Sequence, residues 1–185
     1  MNYALWETDW GHFGIVLGDA GILATYLPHD EVAVRKRIDR EWPEATEGDV
    51  TSTPRWSGFR EQVLSYFAGE SVTFDVPVDL ATMPAFRQRV LRACAEIPYG
   101  ESLSYAGLAK RVGSPHAARA VGGAMASNPA PLVIPCHRVL RADGSLGGFS
   151  GPTGVRLKAK MLRLEASHDL SSEATLFQPS ELVCS

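Results

Sequence analysis

The chain is built around the stretch Ile134-Pro135-Cys136-His137-Arg138-Val139, which sets a cysteine between a proline and a histidine. Proline fixes the backbone φ angle and lacks an N–H group, so it holds the following cysteine in a defined direction. The thiolate is the nucleophilic form of cysteine, and His137 and Arg138 could supply the positive charge that favours it. A lone cysteine is more often a buried, inert side chain, so this stretch alone leaves both interpretations open.

Motifs on both sides of this stretch narrow the interpretation. Upstream stand Arg119-Ala120-Val121-Gly122-Gly123 and Asn128-Pro129, and downstream stand Gly147-Gly148-Phe149-Ser150-Gly151 and Leu162-Arg163-Leu164-Glu165. In this order and spacing they make residues 84–166 resemble the O6-alkylguanine-DNA alkyltransferases, a family of DNA repair proteins whose marker is Pro-Cys-His-Arg-Val. The part before residue 84 resembles that family only loosely.

The two parts of the chain carry opposite charge. Residues 1–84 hold 6 Lys and Arg against 14 Asp and Glu, whereas residues 85–166 hold 12 against 4. A basic C-terminal part indicates a surface directed at a polyanion, although an unevenly charged soluble protein would show the same totals.

Cysteine usage and hydropathy indicate the compartment. The three cysteines are widely spaced and predict no disulfide framework, which is typical of a reducing, cytoplasmic location. The chain has neither a basic segment before an apolar leader nor an apolar run of about 18 residues, so we expect no signal peptide and no membrane span.

The N-terminal part has the pattern of a small α/β domain. Its apolar residues alternate in some segments, as in strands, and follow helical spacing in others. We therefore predict an α/β domain, a small sheet with helices, over residues 1–76, followed by a linker at 77–84. Its predicted elements are strands at 12–18, 22–27 and 72–76, helices at 31–42 and 57–67, and a loop at 44–54.

Residues 85–166 have the pattern of a mainly α-helical domain. A helix is predicted over 85–96, and Cys94 falls on its apolar side, as a core residue does. A terminal helix is expected from about Gly154. The last segment, 167–185, is acidic and rich in serine, which is typical of a flexible tail.

Two further short helices are predicted in the middle of this domain. The first covers residues 104–111, and the second has Ser114 as its N-cap and Pro115 in its first turn. Two short helices around a glycine turn in a basic region indicate a helix-turn-helix. The resemblance implies that residues 85–166 form a winged helix-turn-helix-like domain.

The resemblance implies a suicide repair reaction at Cys136. An alkyl group on guanine O6 lies inside the duplex stack, so the nucleotide has to be flipped out before transfer. Cys136 would then attack the alkyl carbon, while His137 removes the thiol proton through a water and Glu165 orients His137. Asn128 would bridge the second short helix and the cysteine turn. Without the resemblance, Glu165 would be an ordinary helix carboxylate and Asn128-Pro129 a turn signal.

The resemblance also implies a pocket for guanine and its alkyl group. The backbone carbonyls of Cys136 and Val139 would accept the exocyclic amine, and Ser150 would donate toward O6. Phe149 stands where many family members have tyrosine, which keeps an apolar wall and removes a hydroxyl. Tyr105 would donate to the guanine and rotate the neighbouring phosphate, or would pack in the core. The predicted pocket residues are Tyr105, Val139, Ser150, Phe149, Pro131 and Gly147.

The second short helix has almost no side chains able to read base edges. Its alanines and glycines permit close backbone approach, which suits a minor groove and sequence-independent binding, but they also favour plain helix formation and packing. Arg119 is the one long side chain in its middle. Alone it would be a phosphate contact, and the resemblance makes it the finger that replaces the flipped base. The predicted DNA contacts are Arg119, Ser104, Ala118 and Arg138.

The resulting prediction is a monomeric, cytoplasmic protein that repairs double-stranded DNA carrying O6-alkylguanine, with O4-alkylthymine as a further candidate substrate. Each molecule would react once, because the thioether formed at Cys136 has no leaving group to return. No cofactor and no metal are expected, since the DNA donates the alkyl group and no cysteine precedes Cys94. Two alternatives stay open: a helix-turn-helix regulator in which Cys136 is structural, and a cysteine hydrolase that turns over.

Overall fold

The structure, a computed structural model, describes the backbone of residues 1–174 and the side chains of residues 1–167. The strands in this part of the chain are β1 (Asn2–Thr8), β2 (Gly11–Gly18), β3 (Gly21–His29), β4 (Thr46–Glu47), β5 (Leu103–Ser104) and β6 (Val139–Leu140). The helices are α1 (Glu31–Glu41), α2 (Pro54–Ala68), α3 (Ala85–Ala95), α4 (Tyr105–Arg111), α5 (Ala118–Ala126) and α6 (Val155–Ala174). A 3₁₀ turn spans Cys136–Arg138.

The N-terminal part is a four-stranded sheet in the order β3-β2-β1-β4. The first three strands are antiparallel to their neighbours, and β4 is parallel to β1. Because side chains alternate along a strand, β2 has two buried faces: Phe13 and Ile15 pack toward α2, and Val16 packs toward α1. Gly14 allows α1 to come close, since a Cβ there would lie 2.8 Å from a methyl group of Val34.

Most N-terminal elements confirm the sequence predictions, with three exceptions. The loop predicted at 44–54 contains the two-residue strand β4, which pairs with β1. Strand β1 was not predicted, because its buried side chains, Tyr3 and Trp6, are three positions apart and hide the alternation. The strand predicted at 72–76 is wrong: the segment has no strand partner, and its apolar side chains pack against the core from the outside. An alternating pattern predicts which side chains are buried, but a strand also needs a neighbouring backbone to pair with.

The C-terminal part is mainly helical, as expected, with one small parallel ladder between β5 and β6. Ser104 caps α4 by accepting a 2.9 Å hydrogen bond from the backbone N–H of Gly107. The predicted start of the next helix at Ser114 and Pro115 is wrong. These residues form a turn, closed by the N–H of Ala117 on the carbonyl of Ser114 at 2.9 Å, and α5 begins one residue later.

Helix α6 continues to Ala174, so the backbone of residues 167–174 is helical where a flexible tail was predicted. The remainder of that predicted tail, residues 175–185 with Cys184, lies outside the described residues. One apolar core joins the sheet, α2, α3 and the C-terminal helices, and the division of the chain at residues 77–84 stays a prediction. None of the helices in the described part has the length and apolar character needed to cross a bilayer.

Candidate active site

Cys136 begins the 3₁₀ turn and is only 4 % exposed. The chain approaches it through Leu132, whose φ of 84° makes it the one non-glycine residue in the left-handed region among the described residues. A bulky residue in that region costs about 1–3 kcal/mol, and such strain is characteristic of functional turns. The backbone N–H of Ile134 donates to the carbonyl of Ala130 at 2.8 Å and closes the turn.

Two side chains from different elements hold this turn. Asn128 follows α5, and its Nδ2 donates to the carbonyl of Ile134 at 2.8 Å while its Oδ1 accepts from Ala130 at 3.1 Å. From strand β3, the hydroxyl of Thr25 donates to the carbonyl of Pro131 at 2.6 Å. Asn128 therefore joins the end of α5 to the cysteine turn, and Thr25 joins the N-terminal sheet to the same turn.

His137 is fully buried, and its Nε2 lies 2.7 Å from Oε1 of Glu165 on α6. A carboxylate only accepts hydrogen bonds, so Nε2 carries the proton and Nδ1 keeps a lone pair. No protein group among the described residues is hydrogen-bonded to that Nδ1. The arrangement presents a neutral imidazole with a free basic nitrogen directly after Cys136, which suits a general base.

Arg138 lies inside the protein, where it pairs with Glu165. Its Nε is 3.0 Å from Oε2 and its Nη2 is 3.1 Å from Oε1, while Nη1 donates to the carbonyl of Ile97 at 2.6 Å. The guanidinium also stacks near Tyr99, 5.6 Å from the ring centre. The prediction of Arg138 as a DNA contact is corrected, because this side chain is 6 % exposed and its donors are used internally.

The charges in this network follow from burial and pairing. Burial alone would raise the pKa of Glu165, but its hydrogen bonds to His137 and Arg138 lower it to about 2. Burial lowers the pKa of His137 below its usual range, against the opposing hydrogen bond to Glu165. Since Arg138 already balances the charge of Glu165, His137 can stay neutral beside an ionised carboxylate.

A cavity of about 400 Å³ opens beside Cys136. It brings together four of the residues predicted from the sequence, Cys136, Tyr105, Phe149 and Ser150. Gly122, Met125 and Ala126 of α5 complete much of the wall, so the cavity lies between the two short helices, the cysteine turn and the segment at 148–150. Its volume and mixed lining suit a flat polar ring with a small apolar substituent.

The other predicted pocket residues lie around this cavity without lining it. Pro131 lines an adjacent cavity of about 300 Å³, together with Asn128, Phe149 and Ser150. Gly147 has a φ of 66° and packs against Tyr105, where a Cβ would lie 3.1 Å from the phenolic oxygen. Val139 follows the cysteine turn as the first residue of β6, and its side chain is buried.

Lys158 was not predicted from the sequence, and its side chain is buried beside the cavity. Its Nζ donates to the carbonyl of Val139 at 2.6 Å and lies 5.9 Å from the ring centre of Tyr105. Burial raises the pKa of Cys136, while a hydrogen bond from Asn128 and the charge of Lys158 act in the opposite direction. Burial also lowers the pKa of Lys158, and in its protonated form Lys158 contributes the kind of positive charge that the sequence attributed to His137 and Arg138.

Tyr66 of α2 was also missed, although its hydroxyl donates to Oε1 of Glu165 at 2.8 Å. It belongs to an apolar helix face in which a tyrosine looks like any other core residue. Cys94, predicted as a core residue, is buried and burial raises its pKa. Among the described residues, no group of three or more His, Cys, Asp and Glu side chains is arranged to hold a metal ion.

The predicted DNA contacts divide into surface and interior positions. Arg119 is exposed on α5, and Ala118 next to it is partly exposed. A Cβ added at Gly122 or Gly123 would meet nothing within 4 Å, so this face of the helix is open to an approaching partner. Ser104 is half-buried and serves as the N-cap of α4.

Comparison with known proteins adds to this geometry. A family model described as 6-O-methylguanine DNA methyltransferase, DNA binding domain, matches residues 85–167. The chain is 42 % identical over 156 residues to the methylated-DNA–protein-cysteine methyltransferase of Mycolicibacterium paratuberculosis. The aligned stretch covers 84 % of this chain and 92 % of the relative. It is 41 % identical over 167 residues to the constitutive protein of that name from Bacillus subtilis, covering 89 % and 96 %.

The fold is similar to a solved structure as well. The crystal structure of Mycobacterium tuberculosis OGT in complex with DNA superimposes with a TM-score of 0.74 at 34 % identity, over 90 % of this chain and 94 % of that chain. The similarity therefore includes the N-terminal part, whose sequence motifs resemble the family only loosely.

Proposed function

Because this chain belongs to the family of methylated-DNA–protein-cysteine methyltransferases, we propose that it repairs DNA by moving the alkyl group of O6-alkylguanine onto Sγ of Cys136. The observation that carries this proposal is the 400 Å³ cavity in which Cys136 meets Tyr105, Phe149 and Ser150. A cysteine at the wall of a cavity sized for a base, followed by a neutral histidine, supports transfer from a bound base. O4-alkylthymine is a second substrate under this proposal.

The proposed transfer is a displacement at the alkyl carbon. His137 takes the thiol proton on Nδ1 through a water, and Glu165 stabilises the imidazolium that results. The Sγ–carbon bond forms as the carbon–O6 bond breaks, and the electron pair of that bond stays with the guanine oxygen. Ser150 donates a hydrogen bond toward O6 and the phenol of Tyr105 donates one to the guanine ring. Both stabilise the negative charge left on the base, which takes up a proton from solvent, and the proton held by His137 returns to solvent. The Val139 carbonyl, with a lone pair beyond its bond to Lys158, accepts the exocyclic amine together with the Cys136 carbonyl.

The proposal assigns DNA binding to α4 and α5 as a winged helix-turn-helix. The open face at Gly122 and Gly123 supports close approach of α5 to a minor groove. Arg119 enters the stack when the damaged nucleotide is flipped into the cavity. Ala118 and the region of Ser104 lie against the DNA backbone. The domain in this proposal is residues 85–166, joined through residues 77–84 to residues 1–76.

The protein acts once, as a monomer and in the cytoplasm, under the same proposal. A thioether at Cys136 has no leaving group, and the DNA itself donates the alkyl group, so no cofactor takes part. Two free, buried cysteines at 94 and 136 fit a reducing compartment.

Intact-mass measurement tests the proposed function. After incubation with duplex DNA that carries O6-methylguanine, the protein should gain one methyl group in place of one hydrogen, and peptide mapping should locate it at Cys136. Under excess DNA the gain should stop at one per molecule. Cys136→Ala should bind the duplex and gain nothing. Methyl transfer that persists in this variant, or repeated turnover, would refute the proposal.

A further inference from the structure

The N-terminal part contributes a side chain to the hydrogen-bond network behind Cys136. Tyr66 lies 71 positions before His137, on α2, and is fully buried. Its hydroxyl oxygen is 2.8 Å from Oε1 of Glu165 and 3.4 Å from Nε2 of His137. The ring is fixed by edge contacts with Phe67 and Tyr99, so the hydroxyl has little freedom to point elsewhere.

Tyr66 and His137 share the same carboxylate oxygen. Glu165 can only accept, so the phenol and the imidazole Nε2–H both donate to Oε1, and Arg138 adds a third donor at 3.1 Å. Each further donor withdraws charge from that oxygen and weakens the attraction it exerts on an imidazolium. The phenol is also one of the donors that orient the carboxylate, together with Arg138 and the backbone N–H of Gly100. It thus controls both where Glu165 points and how strongly it favours a charged His137.

We propose that Tyr66 is a positioning residue of the alkyl-transfer site: its hydroxyl fixes Glu165 so that His137 stays neutral, with the proton on Nε2 and Nδ1 free to accept the thiol proton. The proposal rests on the proposed function for its consequence in catalysis, but its structural content concerns only His137. It makes the N-terminal part a component of the active site, in addition to its support of the cysteine turn through Thr25.

Several charged and titratable groups around His137 affect whether its imidazole is neutral or charged. Glu165 and Lys158 approach from α6, and Arg138 is its neighbour in the turn. Tyr66 approaches from α2 and Tyr99 from the segment after α3, with its ring 5.9 Å from that of Tyr66. Of these, Glu165 alone favours a charged imidazole, and Tyr66 acts directly on Glu165. Removing the phenol should therefore raise the pKa of His137 toward its ordinary value.

The substitution Tyr66→Phe tests this with little disturbance, because it removes the hydroxyl and keeps the ring. Tyr3→Phe is the matched control, since it removes a buried hydroxyl bonded to Arg35 in the separate core between the sheet and α1. Transfer from duplex O6-methylguanine should be measured in single turnover from pH 5.5 to 8.5. In Tyr66→Phe the acid limb should move up by about half a pH unit or more, giving a rate about threefold lower at acidic pH and a smaller loss at pH 8. The control should keep the wild-type midpoint.

NMR of labelled histidine tests the same proposal without a substrate. The wild-type His137 signals should be those of the neutral Nε2–H tautomer well below pH 6.5, and Tyr66→Phe should titrate at higher pH. A wild-type His137 in the Nδ1–H form, or the same titration midpoint in both proteins, would overturn the role of Tyr66. Absence of methyl uptake by the wild type, with the expected NMR shift, would instead refute the proposed function and leave the role of Tyr66 toward His137 supported.

Discussion

Arg138 and Glu165 form a buried two-point ion pair, with Nε and Nη2 of the arginine 3.0 and 3.1 Å from the two carboxylate oxygens. The arginine of the cysteine motif is therefore bound to an internal carboxylate. Tyr66, His137 and the backbone N–H of Gly100 complete the set of donors around that carboxylate. A charge buried with so many partners stabilises the fold only while it remains ionised.

Loss of this charge in acid should cost stability. The pKa of Glu165 is about 2 in the folded protein against an ordinary 4.5, so its contribution is complete above pH 4.5 and is lost as the pH falls toward 2. The difference corresponds to about 3 kcal/mol. The free energy of unfolding, measured in urea at pH 6 and pH 3, should fall more in the wild type than in Glu165→Gln. Glu96→Gln, at an exposed site after α3, is the control and should follow the wild type. Equal acid sensitivity of the wild type and Glu165→Gln would contradict this account.

Among the described residues, Lys158 carries the charge that acts on the Cys136 thiol, whereas the charge of Arg138 is balanced by Glu165. In Lys158→Met the pKa of the Cys136 thiol should rise further, since burial already raises it and the opposing charge is gone. Alkylation of Cys136 by iodoacetamide at pH 8 should slow by about tenfold if about 1.4 kcal/mol of thiolate stabilisation is lost.

The control for Lys158 lies two positions further along the same helix. Lys160 is exposed, with its ammonium over the ring of Trp10, so Lys160→Met removes an equal charge away from the thiol. Its alkylation rate should match the wild type, with folding of both variants verified by circular dichroism. If Lys158→Met slows the reaction without moving its pH midpoint, Lys158 acts through packing alone.

The sequence predicted the residues whose motifs have a fixed order and spacing. Cys136, His137 and Glu165 meet in the structure because the cysteine turn and α6 pack on one core. Arg138 was misplaced because a basic residue in a basic half is normally exposed, and nothing in the local pattern marks it as the partner of a residue 27 positions away. The predicted helices are present because helical spacing is a local signal in the sequence. The strand predicted at 72–76 is absent because strand formation needs a backbone partner that is distant in sequence.

The residues that the sequence did not predict share a physical reason. Tyr66 lies on the apolar face of α2, and its role depends on the distance of one hydroxyl from Glu165 across the core. Lys158 stands in a helix with other basic residues, Arg156, Lys160 and Arg163, and only packing distinguishes the buried one from the exposed ones. Long-range packing determines both roles, and the helical periodicity of the sequence does not indicate which residues pack together over long range.

DNA affinity should depend on salt and little on sequence. Exposed basic residues release counterions from phosphates, and each contact adds about −0.9 to the slope of log affinity against log salt. Lys110→Gln, at the exposed C-terminal end of α4, should make that slope less steep by about one. Lys36→Gln, on α1 in the acidic part, should leave it unchanged. Titrations at several salt concentrations give the slope, and titrations with an undamaged duplex and its scrambled version give the sequence dependence. A strong preference for one undamaged sequence would favour the regulator alternative.

Arg119 separates nucleotide flipping from chemistry. It is exposed on α5 amid alanine and glycine and does not line the Cys136 cavity, so its benefit should be confined to duplex substrates. Extruding a base costs a few kcal/mol, and a side chain that fills the vacated stack offsets part of that cost. Arg119→Ala should therefore slow transfer from duplex DNA about tenfold or more if at least about 1.4 kcal/mol is lost, while transfer from free O6-methylguanine should scarcely change.

A second arginine distinguishes the finger from a general loss of charge. Arg156→Ala removes the same charge from the exposed side of α6. This substitution should at most weaken duplex binding through a lost phosphate contact, and it should leave the flipping step intact. Both rates are measured in single turnover at saturating duplex, which removes differences in binding from the comparison. With binding saturated, a defect of Arg119→Ala that persists on the duplex and is absent on the free base isolates the flipping step. An equal loss on both substrates would mean that Arg119 supports the site itself, and the finger assignment would be wrong.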